Sequence, residues 1–227
     1  MLPERSSHSC EFCIEFDDSG RAGSRFATMT GLAEDRSVAI SGVDLLLPSL
    51  GALSRGHTLL VPRSHVHAFV GSGPPVDVEN RLRVASELVA SVYGPLVIFE
   101  HGTWSPRSSG GCGVCHAHVH LVPVPGDCPD LLPAEYVWSE LPATGWAAHI
   151  ARHGLAVDYL LYWPPSAAPV VAYDNSAPSQ LLRKHVAGLL GFGSWNWRDS
   201  TDTDGLLETT DLLNAALRQE GRCLASS

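Results

Sequence analysis

The alternation of apolar and polar positions along residues 115–124, CHAHVHLVPV, predicts a β-strand. Successive side chains of a strand leave opposite faces, with a rise of ~3.3 Å per residue. His116, His118 and His120 therefore line one face with neighbours roughly 6–7 Å apart, while Ala117 and Val119 face a core. Short apolar or β-branched runs at 25–30, 36–47 and 57–61, broken by Gly and Pro, predict an antiparallel meander. Leu82, Ala85, Leu88, Val89 and Val92 recur at helical spacing and predict a helix over about 78–93, after the loop GSGPPVD at 71–77. Pro95 follows it, LVIFE at 96–100 reads as a strand, and the Gly/Ser/Pro-rich stretch 101–113 is a loop leading to the histidine strand.

Beyond Pro125 the pattern changes. Residues 126–148 are rich in Pro, Gly and acid and read as an ordered crossover containing Trp138 and Trp146. YLLYW at 159–163 and PVVAY at 169–173 flank the WPPSAAP turn and predict a hairpin. Two helices follow, over 179–191 with Leu182, Val186 and Leu189 inward, and over about 205–219 with Leu206, Leu213 and Leu217 inward. This order predicts an α+β fold, a mainly antiparallel sheet with one long helix, carrying a C-terminal α/β extension. The division falls at 1–125 for the first domain and 126–227 for an extension packed on its core.

Composition narrows the functional classes. Hydrophobic residues at 44% and charged residues at 17% suit a core-forming protein. There is no run of 18 apolar residues to span a membrane, and no apolar stretch follows the first charges, so the expected location is cytoplasmic. A net charge of −9 argues against holding long nucleic acid, but leaves room for a small anion in a local pocket. Six cysteines in a reducing compartment are expected as thiols, and four form the Cys-x-x-Cys pairs Cys10/Cys13 and Cys112/Cys115. Such a pair supplies two of the four ligands of a structural zinc. Three imidazoles in a row can hold a metal, cradle a phosphate, or supply a nucleophile with helpers.

The HAHVH run resembles the signature of the histidine-triad (HIT) superfamily. Residues 56–65, GHTLLVPRSH, are similar to the strand and turn upstream of the triad, and CEFC at 10–13 is similar to the cysteine pair of zinc-binding members. The three matches span residues 10 to about 125. The resemblance implies a HIT-like fold, doubled into a homodimer whose sheets join, and a structural zinc on Cys10, Cys13, His65 and His116. An all-cysteine site on Cys10, Cys13, Cys112 and Cys115 is the alternative, weakened by strand alternation that turns Cys115 away from His116.

The resemblance further implies that His118 is a nucleophile and that His120 and His57 contact a phosphate. Backbone N–H groups of the loop at 110–114, Gly113 among them, would help stabilise the developing charge. Glu100 and His101 at a strand end, and Arg183 at the start of a helix in the extension, are candidate substrate contacts. Trp195 and Trp197 are expected to pack the tail onto the core. The implied activity is hydrolysis of a nucleoside 5′-monophosphate conjugate (phosphoanhydride, phosphoramidate or phosphoester) through a nucleotidyl-histidine. Nucleotidyl transfer or phosphorolysis through the same intermediate, and nucleotide binding without turnover, are the alternatives. His120, where galactose-1-phosphate uridylyltransferases carry glutamine, favours hydrolase-like members over hexose-1-phosphate transferases. Two departures stand out: Gly111-Cys112-Gly113-Val114 where many members have Gly-Gln-Ser/Thr-Val, and Ser49 where many have an acid on the ribose.

Overall fold

The computed structural model describes residues 10–32, 35–104, 116–153, 157–198 and 201–225, with side chains described to residue 219. Its strands are β1 (Val38–Ala39), β2 (Asp44–Pro48), β3 (Thr58–Pro62), β4 (Leu96–Gly102), β5 (Val119–Pro123), β6 (Ser139–Glu140), β7 (Tyr159–Trp163) and β8 (Val170–Tyr173). They form one sheet in the order β1-β2-β3-β5-β4-β7-β8-β6, antiparallel throughout. The helices are α1 (Glu11–Phe16), α2 (Arg25–Thr30), α3 (Pro75–Tyr93), α4 (Trp146–His153), α5 (Leu181–Leu189) and α6 (Thr203–Ala225). The architecture is thus α+β, as the pattern predicts. None of these helices is long and apolar enough to cross a membrane.

One expected strand is a helix. The run at 25–30 is α2, because the Ser24 hydroxyl accepts the Ala27 N–H at 3.1 Å and Gly31 ends the helix with φ 74°. Those are a helix N-cap and a left-handed stop, and they override the apolar content of six residues. Two further helices, α1 and α4, arise where no periodicity was long enough to announce them. The meander is otherwise present as β1, β2 and β3, and α3, β4, the β7–β8 hairpin, α5 and α6 stand close to their expected places.

Alternation gives the sheet two faces. Leu60, Ile98, Val119, Leu121 and Leu161 point to one side, where α3, α4 and α6 bury them with Leu82, Ile150 and Leu213. The other side is split between two apolar clusters. Phe12 of α1 covers Leu47, Leu59 and Val61, while Leu182 and Val186 of α5 cover Val97, Phe99, Val122 and Leu160. The histidine row crosses this second face between the two clusters. The segment after Pro125 therefore extends the sheet, with β7 pairing along its full length with β4 from Ile98↔Trp163 to Gly102↔Tyr159, as well as supplying a cover for it.

Candidate active site and metal centre

β5 presents His120 opposite Phe99 of β4 and Leu59 of β3, and the His120 ring stacks on Phe99 at 4.3 Å. His118 and His116 precede the strand, and Ala117 between them donates its N–H to the Val66 carbonyl at 2.7 Å. Ala117 and Val119 are buried on the opposite face, as alternation requires.

Hydrogen bonds assign the tautomers. His118 Nδ1 lies 2.8 Å from the His116 carbonyl oxygen, which only accepts, so Nδ1 carries the proton and Nε2 keeps its lone pair. The Leu53 N–H donates to His57 Nδ1 at 3.1 Å, which leaves the His57 proton on Nε2. That proton is donated to His120 Nδ1, 3.0 Å away. The proton of neutral His120 is therefore on Nε2. A chain from Leu53 through His57 sets the donor atom of His120, and His57 spends both ring nitrogens doing so.

All three rings are neutral near pH 7. Burial pushes His118 down to about 4, Arg183 and His101 push it further, and only the His116 carbonyl raises it. Burial likewise holds His57 and His120 well below the ordinary imidazole range, with Arg183 adding to both effects. An uncharged imidazole with a lone pair in a pocket is a competent nucleophile.

The pocket above the row is roofed by both ends of the chain and leaves about 50 Å³ open. Phe12 from α1, Arg25 and Phe26 from α2, Arg183 and Trp197 line it together with His118 and His120. Phe12 meets His118 edge-on at 5.6 Å. Arg36 ties α1 down by pairing with Glu15 at 2.6 Å, both groups buried. Ser49 lines the pocket, its hydroxyl donating to the Leu50 carbonyl at 3.1 Å.

The candidate substrate contacts separate. Arg183, 1% exposed, reaches the pocket although it belongs to the extension; it donates to the Gly51 carbonyl at 2.6 Å and the Trp195 carbonyl at 3.2 Å. His101 shares the triad face, close enough for its charge to bear on His118. Glu100, its neighbour in β4, faces the other side of the sheet and is not brought to the site. Its carboxylate accepts the Phe69 N–H at 2.7 Å and the Tyr159 hydroxyl. Gly113 and the 110–114 loop lie outside the described residues, as do Cys112 and Cys115 of the all-cysteine alternative. Sequence reasoning missed Phe12, Arg25 and Trp197 as pocket walls. For Phe12 the signal was its place between the two cysteines; for Trp197 there was none.

Beside the pocket, Cys10, Cys13, His65 and His116 gather their ligand atoms within 4.8 Å of one another. Cys10 Sγ to His116 Nδ1 is 3.4 Å, Cys13 Sγ to His65 Nδ1 is 3.3 Å, and Cys13 Sγ to His116 Nδ1 is 3.6 Å. A tetrahedral zinc with ordinary bond lengths separates sulfur from nitrogen by roughly 3.6 Å, so the four residues fit the ion. His116 Nε2 donates to the Pro62 carbonyl at 2.8 Å, which turns the lone pair of Nδ1 toward the cluster. Burial pushes the Cys10 thiol up to about 12, so the pocket favours thiolate only with a cation present.

No protein-family model matches the chain, and no curated protein matches it. Among solved structures, a hypothetical protein from Leishmania major is similar over 65% of this chain and 94% of its own, with 21% identity and a TM-score of 0.40. A zinc-bound histidine triad family protein from Mycobacterium smegmatis is similar over 66% of this chain and 96% of its own, with 20% identity and a TM-score of 0.36.

Proposed function

We propose that this protein is a hydrolase that cleaves a small nucleoside 5′-monophosphate conjugate through a covalent intermediate on His118. The observation that carries the reading is the His118 Nδ1–H bond to the His116 carbonyl, which fixes Nε2 as the lone-pair atom beside His120.

In the first half-reaction Nε2 bonds to the α-phosphorus as the bond from phosphorus to the leaving group breaks. The leaving group departs with that electron pair and takes up a proton. The His118 ring, still holding its Nδ1 proton, becomes cationic, and the carbonyl oxygen 2.8 Å away stabilises the new charge. The Nε2–H of His120 stabilises the phosphate oxygens, with its orientation set by His57. In the second half, water bonds to phosphorus, the phosphorus–Nε2 bond breaks, and nucleoside monophosphate and a proton leave.

Cys10, Cys13, His65 and His116 would hold zinc, whose contribution is a structural cross-link of α1 to the sheet, with no position open for water. The test is mass analysis of the protein after incubation with a mixed library of nucleotide conjugates. A nucleotidyl adduct on His118, absent in His118→Ala together with turnover, is the expected result. Activity above a few per cent in a folded His118→Ala variant removes His118 from the nucleophile role. Nucleoside diphosphate formed when inorganic phosphate is present would instead identify a phosphorylase.

A further inference from the structure

We propose that Trp197 is a specificity residue of this site, its indole stacking on a planar aromatic group of the substrate such as a nucleobase. The inference rests on the hydrolase reading for its substrate class. Its structural ground is separate.

The indole is buried and forms a wall of the pocket that has His118 and His120 at its base. It arrives there on a segment outside any helix or strand, and two devices hold that segment in place. Gly51, at φ 60°, lets the tail approach so closely that a Cβ at this position would stand 2.4 Å from the Trp197 Cα. Arg183 then bridges the two strands of chain, bonding the carbonyls of Gly51 and Trp195. The same loop that takes Trp197 against it supplies the Leu53 N–H that orients His57. Tail and histidine relay are thus fastened to one piece of backbone. A tryptophan needed only to pack the tail would not have to stand in the wall of the pocket.

What covers the indole also matters. Two guanidinium groups lie over the ring, that of Arg25, which itself lines the pocket, at 5.0 Å and that of the adjacent Arg198 at 4.4 Å, and both arginines are exposed. An exposed cation–π contact is weaker than the stacking of a base on an aromatic ring. A base can therefore displace Arg25 from the indole at low cost. Such a displacement is also needed, because the open space of about 50 Å³ is far below the several hundred Å³ of a pocket that accepts a ligand of nucleotide size. Moving a solvated arginine is the least disruptive way to make that room. Phe12 and Phe26 stay as the remaining apolar walls.

The experiment measures binding of adenosine 5′-monophosphate and of ribose 5-phosphate to the full chain and to Trp197→Leu, with Trp197→Phe as the conservative rescue. Trp197→Leu is expected to weaken adenosine 5′-monophosphate by about tenfold or more and to leave ribose 5-phosphate unchanged. Trp197→Phe should recover most of the loss, and nucleotide quenching of tryptophan fluorescence should fall in both variants. Equal weakening of both probes, or of neither, overturns the proposal. If Trp197→Leu does not fold, Arg25→Ala decides: unchanged or tighter nucleotide binding supports stacking on the indole, and a tenfold loss overturns it. The two readings fail separately. A selective effect of Trp197 without any His118 adduct retires the hydrolase reading alone, and an adduct without selectivity retires this one.

Discussion

At the scale of single residues, the site is a set of proton positions. His57 was expected to touch the phosphate, but both its nitrogens are engaged, with the Leu53 N–H and with His120. Its role in the proposed mechanism is to keep the His120 proton on Nε2. His57→Phe keeps a planar aromatic ring and removes the donor, so His120 is free to place its proton on either nitrogen. We expect kcat to fall by about 10²-fold with KM little changed, a loss of the size seen when one transition-state donor is removed. Steady-state kinetics on a cleavable conjugate reads it, and a change confined to KM would return His57 to a ground-state contact. The histidines, the cysteine pair and His65 were legible because each stands at a fixed spacing in a short motif. Glu100 and His101 were not separated, although alternation alone assigns adjacent residues of a strand to opposite faces.

Secondary elements carry the next level of consequence. α1 holds two of the four metal-site residues at its start and Phe12 between them, so the metal centre and the pocket wall share one turn of helix. Replacing Cys10 and Cys13 together by serine should remove zinc, expected near one equivalent per chain by metal analysis. The same change should lower the melting temperature and speed proteolysis before residue 36, because metal ligation is folding free energy. Full zinc content in the double variant would refute the ligand set. On the other face of the sheet, β4 and β7 are joined to the turn before α3 through Glu100. Burial raises its carboxyl to about 7, although the Tyr159 hydroxyl and Phe69 N–H oppose the shift. A folded pKa above the unfolded one means the native state binds the proton more tightly. The stability so gained is full at acid pH, below the unfolded value, and is lost as pH rises through about 7. Glu100→Gln, whose amide can pair with a reoriented Tyr159 hydroxyl, should flatten this fall, which is on the order of 3 kcal/mol by pH 8. Denaturant melts between pH 5 and 8 would show parallel curves for the two proteins if burial were not the cause. The long periodic segments, α3 and the β7–β8 hairpin, were readable in the chain because many residues vote for them. α2 was not, since six residues give periodicity no length to act on and a single serine and glycine decide the outcome.

For the molecule as a whole, one sheet runs through both halves of the chain. The resemblance implies a homodimer with joined sheets, yet β7 of the same chain fills the free side of β4, and β1 and β6 at the two ends are only two residues long. Such short edges offer little for another strand to extend. The described walls of the pocket bring together residues far apart in sequence, from Phe12 to Trp197. No local signal in the sequence could announce this, because the contacts join residues more than 100 positions apart, as between Arg183 and Gly51.

The strand order has a further consequence, for the way the chain folds. β1, β2 and β3 pair with near neighbours in sequence, and so do β7 and β8, whereas β3 meets β5 across some sixty residues, with Leu59 opposite His120. Closing so long a loop costs more entropy than forming the local hairpins, which places that seam late in assembly. The His57–His120 hydrogen bond crosses the same seam. A chain still folding would hold His57 and His120 apart in two unfinished pieces, and only the completed sheet sets the proton of His120.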